Sequence, residues 1–486
     1  MISFGEWLPD RPALENPGTT VALNVVPTAG GFAPFQSGVV VTDALDARCQ
    51  GAMSFKQVDG TSFVFAGDAT KLYLLRNGLW ADASSKIYNV SSINQWKFAQ
   101  FGSLVLAVNG SDKIQKIRAG AAIKFEEINA SPISQFITVV RDFVVVGPVA
   151  ISNDRFIQWS ARNDVDNWTP TVNSSGIQAL IEGGPLKGIT GGDFGTILQE
   201  SSVTRMNFVG GDLVFSFDII ESARGCFVSG SIVQLGSITY YWSEEGVEAF
   251  TGTGGRNIGE GKVNQTLFDR LDFDSLHLVT ATIDPERRLV IWAYPSGGSV
   301  VNRLLVYNVG QNQFSDISLT VQVLLSTRDE TISIDDITGS IDDVPVGGFV
   351  GVTSLDDPIL LGGCRKLAAF NTSNQMMTLT GDNLAATLTI GEFILSNTGT
   401  LVSDGKKVHT RRLRGAIDGT HTISVIHREK LQDSTTIEGP LTPESNGSVA
   451  PRVKDRYQRF QIDTATAASW NFAQGIDFEE ITKGGR

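Results

Sequence analysis

The chain has 486 residues, more than the roughly 250 to 300 at which one hydrophobic core stops growing, so it needs one large β-architecture or more than one domain. A hydrophobic fraction of 41% against 19% charged residues excludes a disordered chain. The net charge of −13 excludes a protein that grips nucleic acid over a broad basic surface, though not a surface that DNA slides past.

Glycine (51 residues) and phenylalanine (27) outweigh methionine (5), and no stretch keeps a helical period, which together favour strands and tight turns. Cys49, Cys226 and Cys364 are odd in number and lack C-x-x-C spacing, so a thiol-reducing compartment is expected. MISFGEWLPDRPALENPG carries acids and prolines where a signal peptide has basic residues and an apolar run, and no segment reaches 18 apolar residues. The expectation is a protein soluble when made, without an export address and without membrane insertion.

Residues 1–50 read as an extended N-terminal arm, because Pro9, Pro12, Pro17, Pro27 and Pro34 interrupt its apolar pieces. Proline removes a ladder donor, so this arm is expected to run over a surface and not to build a core. From residue 51 short strands alternate with turn chemistry. SFVFAG meets KLYLLR across Gly67 and Asp68, and KLYLLR meets its neighbour across Asn77 and Gly78, a strong hairpin signal. WKFAQF, SLVLAV and KIQKIR follow, with Asn109 and Gly110 before the last, and FITVV then pairs with FVVVG across Arg141 and Asp142.

LKGITGG, GTILQES, VTRMNFV and VFSFDII form four consecutive strand candidates, as do LVTATID, RLVIWAY, RLLVYNV and QFSDIS further on. Units of roughly 40 to 50 residues match four-stranded propeller blades. A Greek-key sandwich is the competing all-β reading, but about 300 residues of unbroken meanders suit radial repetition better. The expected fold is therefore all-β: a β-propeller of four-stranded blades over 51–400, with an acidic loop near 327–345. Residues 401–486 are expected to complete the propeller or to form a small C-terminal β-module.

Chemistry is sparse. In WSEEGVEAFTGTGGRNIGEGKV, Gly261 and Lys262 match the end of a phosphate loop, but Arg256 stands where its first glycine belongs and Val263 where Ser or Thr must be. No run of helix formers is apparent after it, so the glycines read as turns. Glu244 and Glu245 read as a hairpin turn and not as a glycosidase pair, since neighbours on a strand point to opposite faces. His277, His409, His421 and His427 lack metal spacing: His421 and His427, six residues apart on an extended strand, stand roughly 20 Å apart.

Asp329, Glu330, Asp335, Asp336, Asp342 and Asp343 lack the spacing of a calcium loop and read as solvated. Trp159 and Trp168 read as packing residues around a polar turn. Basic residues gather late, and Lys406, Lys407, Arg411, Arg412 and Arg414 are the candidate interface, facing a partner protein or solvent sooner than DNA. Arg452, Lys454, Arg456 and Arg459 form a second basic group. No catalytic residue, cofactor or metal is expected.

LPDRPALENPGTT, WSARNDVDNWTP, the stretch from GPLKGITGG to ESARGC, YYWSEEGVEAFTG and NIGEGKVNQTLFDRLD, with RYQRFQI near the end, together resemble the podophage tail nozzle (tubular tail) and packaged-DNA stabilisation protein family. The resemblance spans most of residues 5 to 310 and carries no catalytic residues. It implies a non-enzymatic virion protein: a propeller assembled as a hexameric ring on the head-to-tail adaptor, in contact with other tail proteins. Such a ring would retain double-stranded genomic DNA and conduct it through its lumen without reading sequence. The implied location is the virion tail, assembled in the host cytoplasm. A propeller that binds carbohydrate or a host receptor is the alternative.

Overall fold

The structure, a computed structural model, describes residues 1–57, 60–149, 154–328, 365–394 and 407–483. Seven four-stranded antiparallel units are described, arranged as the blades of a β-propeller. Blade 1 comprises Gly51–Lys56, Ser62–Gly67, Leu72–Arg76 and Leu79–Asp82; blade 2, Lys97–Phe101, Leu104–Val108, Gln115–Arg118 and Glu126–Glu127. Blade 3 comprises Phe136–Val140, Phe143–Gly147, Phe156–Trp159 and Gly176–Ala179; blade 4, Leu186–Thr190, Gly195–Gln199, Val203–Gly210 and Val214–Glu221. Blade 5 comprises Val233–Leu235, Ile238–Ser243, Gly246–Phe250 and Gly255–Asn257; blade 6, Thr280–Asp284, Leu289–Pro295, Val301–Asn308 and Gln313–Ser318. Blade 7 takes Leu324–Arg328, Arg365–Phe370 and Gln375–Thr378 from the late chain and its fourth strand, Val39–Ala44, from the N-terminal arm.

The ring therefore closes through the arm and not through residues 401–486. Met377 pairs with Val40 and Thr378 with Val39, while Met376 N–H donates to Thr42 Oγ1 at 3.0 Å. The first strand of blade 7 lies against the first strand of blade 1. Between blades 4 and 5, Gln234 Nε2 donates to Gly191 O at 2.8 Å.

The core is laminated, with an apolar layer between successive blades. Phe65, Leu74, Trp96 and Val105 fill the layer between blades 1 and 2; Ile157, Ile197 and Met206 fill that between blades 3 and 4. Each such fully buried side chain contributes about 1.5–3 kcal/mol by removal from water. Alternation sets this up, because successive residues of strands such as Phe143–Gly147 and Gly195–Gln199 point to opposite faces and each face meets a neighbouring blade, whereas outermost strands such as Leu79–Asp82 and Val39–Ala44 stay largely exposed. At the turns, Asn77 and Gly78 have φ of 51° and 75°, the left-handed pair that a two-residue hairpin demands.

The remaining strands form a β-module built from both ends of the chain. Ile2–Ser3, Val25–Thr28 and Gly31–Pro34 join a sheet with Val408–Ile417 and Ala473–Lys483. Thr19–Leu23 pairs with Thr387–Ile390 and touches blade 6 at Leu23 and Asp316, so the blade 6 sheet continues into Tyr457–Asp463, Thr422–Arg428 and Thr436–Leu441. Two expectations for the arm change here. Phe4, Trp7, Val25 and Phe32 are at most 3% exposed and join one core with Trp242 and Trp292 of the propeller and Phe460 and Trp470 of the module. The prolines do not prevent this, since Pro27 sits in a strand where its carbonyl still accepts from Asn308 Nδ2 at 2.8 Å. The acidic loop, Cys364 and Lys406 lie outside the described residues.

Candidate functional site

The glycine-rich stretch folds from two-residue turns. Ser243 pairs with Gly246, leaving Glu244 and Glu245 at the tip of a blade 5 hairpin. A short helix, Asn264–Arg270, then follows, which the sequence reading did not expect. Its capping group comes from the arm: Asp10 accepts from Gln265 N–H at 2.9 Å and from Thr266 N–H and Oγ1 at 2.8 and 2.7 Å. The amides of this helix start are thus occupied by the chain's own carboxylate, which satisfies orphan donors and complements the helix dipole. Gly246 and Gly259 are required on either side because the Asn264 side chain lies flush against both backbones.

Further contacts complete this clasp. Lys262 pairs with Glu6 and donates to Asn312 O at 2.9 Å, and Arg11 Nε donates to Gly261 O at 3.3 Å. Asn16 holds the arm's own turn, donating to Leu8 O at 3.0 Å and accepting from Gly18 N–H at 2.9 Å. Two segments some 250 residues apart therefore form one polar seam over the shared aromatic core.

The basic cluster lies on or beside the module strand Val408–Ile417. That strand pairs with Ala473–Lys483, which carries Asp477, Glu479 and Glu480. Arg414 pairs with Glu479 at 2.7 Å and donates to Asn446 O at 2.8 Å; Lys407 pairs with Glu429 at 2.9 Å. Arg412 stands opposite Glu480 in the ladder, and Arg411 is exposed. Lys407 and Arg414 are thus paired with carboxylates of the module itself. In the second basic group, Lys454 and Arg452 are exposed, while Arg456 and Arg459 are partly covered.

Buried titratable groups elsewhere serve packing. Burial pushes the Cys49 and Cys226 thiols up to about 12, so neither is a ready thiolate. His427 Nδ1 lies 2.6 Å from Asp455 Oδ2, and His421 Nδ1 lies 2.8 Å from Gly419 O. Glu248 is fully buried, and desolvation raises its pKa despite Arg224 at 3.9 Å and Ser243 Oγ at 3.3 Å. Trp159 and Trp168 donate from their indoles to Ser174 O and Val165 O, in the packing role expected. Among the described residues no group of three or more His, Cys, Asp or Glu is placed to hold a metal ion, and no helix is long and apolar enough to cross a membrane.

One place gathers polar groups without closing on itself. A cavity of about 330 Å³ opens at the propeller axis, where the chain enters the innermost strands of blades 2 to 6. Lys97 comes from blade 2, Phe136 from blade 3, Lys187 from blade 4, Phe227 from the approach to blade 5 and His277 from the approach to blade 6. Burial alone pulls the Lys97 ammonium down to about 8, and burial followed by nearby Arg48 lowers the His277 imidazole. Sequence reasoning missed this site, as its residues are scattered over some 180 positions and share no motif.

No protein-family model matches the chain, and no curated protein sequence matches it. Solved structures do match. A chain in the mitotic checkpoint complex aligns with a TM-score of 0.40 and 8% identity, covering 73% of this chain and 97% of its own. BBS1N in complex with ARL6DN gives 0.39 and 12%, covering 72% and 96%. BamB from Moraxella catarrhalis gives 0.36 and 12%, covering 73% and 95%. At such low scores the β-propeller fold rests on the strand pairing described above.

Proposed function

We propose that the chain is a non-enzymatic structural protein of a phage tail, a nozzle or hub ring component that helps retain packaged DNA and forms part of its exit conduit. The observation that carries this reading is the clasp. LPDRPALENPGTT and NIGEGKVNQTLFDRLD, two of the segments that resemble the nozzle family, are the two halves of one seam joined by Asp10, Arg11 and Lys262. The resemblance thus falls on residues that fix the N-terminal arm to the propeller, which suits a part that must hold its shape. The net charge of −13 per chain also suits a conduit, because phosphates are not held tightly by an acidic protein.

Electron microscopy of particles that carry this chain tests the reading. Six copies in a ring about the tail axis, seated on the adaptor, are expected; a position on a peripheral fibre overturns it. A second reading, a propeller that binds a glycan or host receptor, is favoured by the open axial cavity. Saturable binding to host glycans by a chain located off the axis would select it.

A further inference from the structure

We propose that the axial mouth of the propeller binds a compact oxyanion, the phosphate or sulfate group of a small molecule, between Lys97 and Lys187. This site is independent of the clasp and of the tail reading. Its volume of about 330 Å³ is at the lower end of small-ligand pockets. Both lysines line it, and no Asp or Glu does among the described residues.

Lys97 is held in readiness by Gln95. The Gln95 amide nitrogen donates to His277 O at 2.8 Å and to Val279 O at 3.2 Å, which turns its oxygen to accept from Lys97 Nζ at 2.9 Å. That neutral oxygen leaves the ammonium with donors to spare and no countercharge in a desolvated setting, where a charge-assisted bond is strong. Lys187 Nζ reaches Glu200 only at 3.5 Å, and that carboxylate is 48% exposed, so the pair leaves Lys187 available. The other charged groups nearby do not oppose an anion: Arg48 adds positive charge near His277, and Asp112, behind Asn109, is engaged by Lys86 at 2.9 Å. Phe136, Phe227 and Leu276 supply apolar wall beyond what one oxyanion needs, which suits a phosphate or sulfate ester over a free ion.

Calorimetry on the full chain with sodium sulfate, and separately with glucose 6-phosphate, tests this. One site per chain is expected, with the ester binding more tightly if a small-molecule ester is the natural occupant and sulfate binding equally well if a free oxyanion is. Lys97→Met should lower the affinity for either probe about tenfold or more, and Lys187→Ala by less. Because sulfate keeps its charge, its affinity should fall as pH rises through about 8, where Lys97 loses its proton. Trace acetylation of the wild-type chain at pH 8, mapped by mass spectrometry, supplies a readout that needs no variant: saturating sulfate should protect Lys97. Absence of saturable binding, or unchanged Lys97 acetylation with sulfate present, overturns the proposal.

Discussion

Lys262 and Lys97 are both largely covered lysines, yet their surroundings differ in kind. Lys262, in the clasp, has the Glu6 carboxylate and the Asn312 carbonyl, and it sits among helix amides already filled by Asp10. Lys97, at the axial mouth, has one neutral oxygen. Burying a charge with its partners builds a joint, whereas burying one without a countercharge leaves a desolvation cost that a ligand can relieve.

The strongest way to break the clasp is to remove the aromatic ground beneath it. Trp7→Ala, which empties a position 3% exposed in the core shared by arm, propeller and module, should cost about 3–5 kcal/mol in chemical denaturation. Asp10→Ala should cost about 1–2 kcal/mol and speed proteolysis within the first twenty residues, because two amides and a hydroxyl lose their acceptor together.

The axial mouth should respond in the opposite direction. Lys97→Met removes a charge that folding desolvates, so it should stabilise the chain by about 1–2 kcal/mol at pH 7. The sign follows from a folded pKa of about 8 lying below the unfolded value of 10.5. Between those values the unfolded state holds one more proton, so wild-type stability rises with pH and the advantage of the variant fades. Urea titrations at pH 7 and pH 10 check this; an equal gap at both would contradict it.

The smallest effect belongs to the module surface. Arg414→Ala should change stability by no more than about 0.5 kcal/mol, since its ion pair with Glu479 is half exposed. If the chain forms the proposed ring, loss of that assembly in the variant without loss of stability would assign the strand an interface role.

Blade 6 was legible residue by residue, because four apolar runs separated by short turn signals leave little choice of pairing. The same holds for the Asn77 and Gly78 hairpin, whose conformational demand is local. The arm was not legible. Apart from the local hairpin of Val25–Thr28 with Gly31–Pro34, its strands pair with residues more than 280 positions away, and nothing in a proline-spaced run announces that its phenylalanines will share a core with a tryptophan of blade 6. The helix Asn264–Arg270 escaped for a related reason, as its cap is Asp10 and not a neighbour. The axial mouth exists only once the blades are in a ring, so no window of sequence contains it.

The closing strand Val39–Ala44 also sets an order in time. Thr42 and its partner Met376 are 334 residues apart, and at roughly 5–20 residues per second a ribosome needs roughly 20 to 70 seconds to deliver the second after the first. Throughout that interval three successive valines, still 43–48% exposed in the finished fold, wait without a sheet. Synthesis must therefore carry an unsealed circle of blades with one loose end until its last strands arrive, and the seal made then joins the oldest part of the chain to one of the newest.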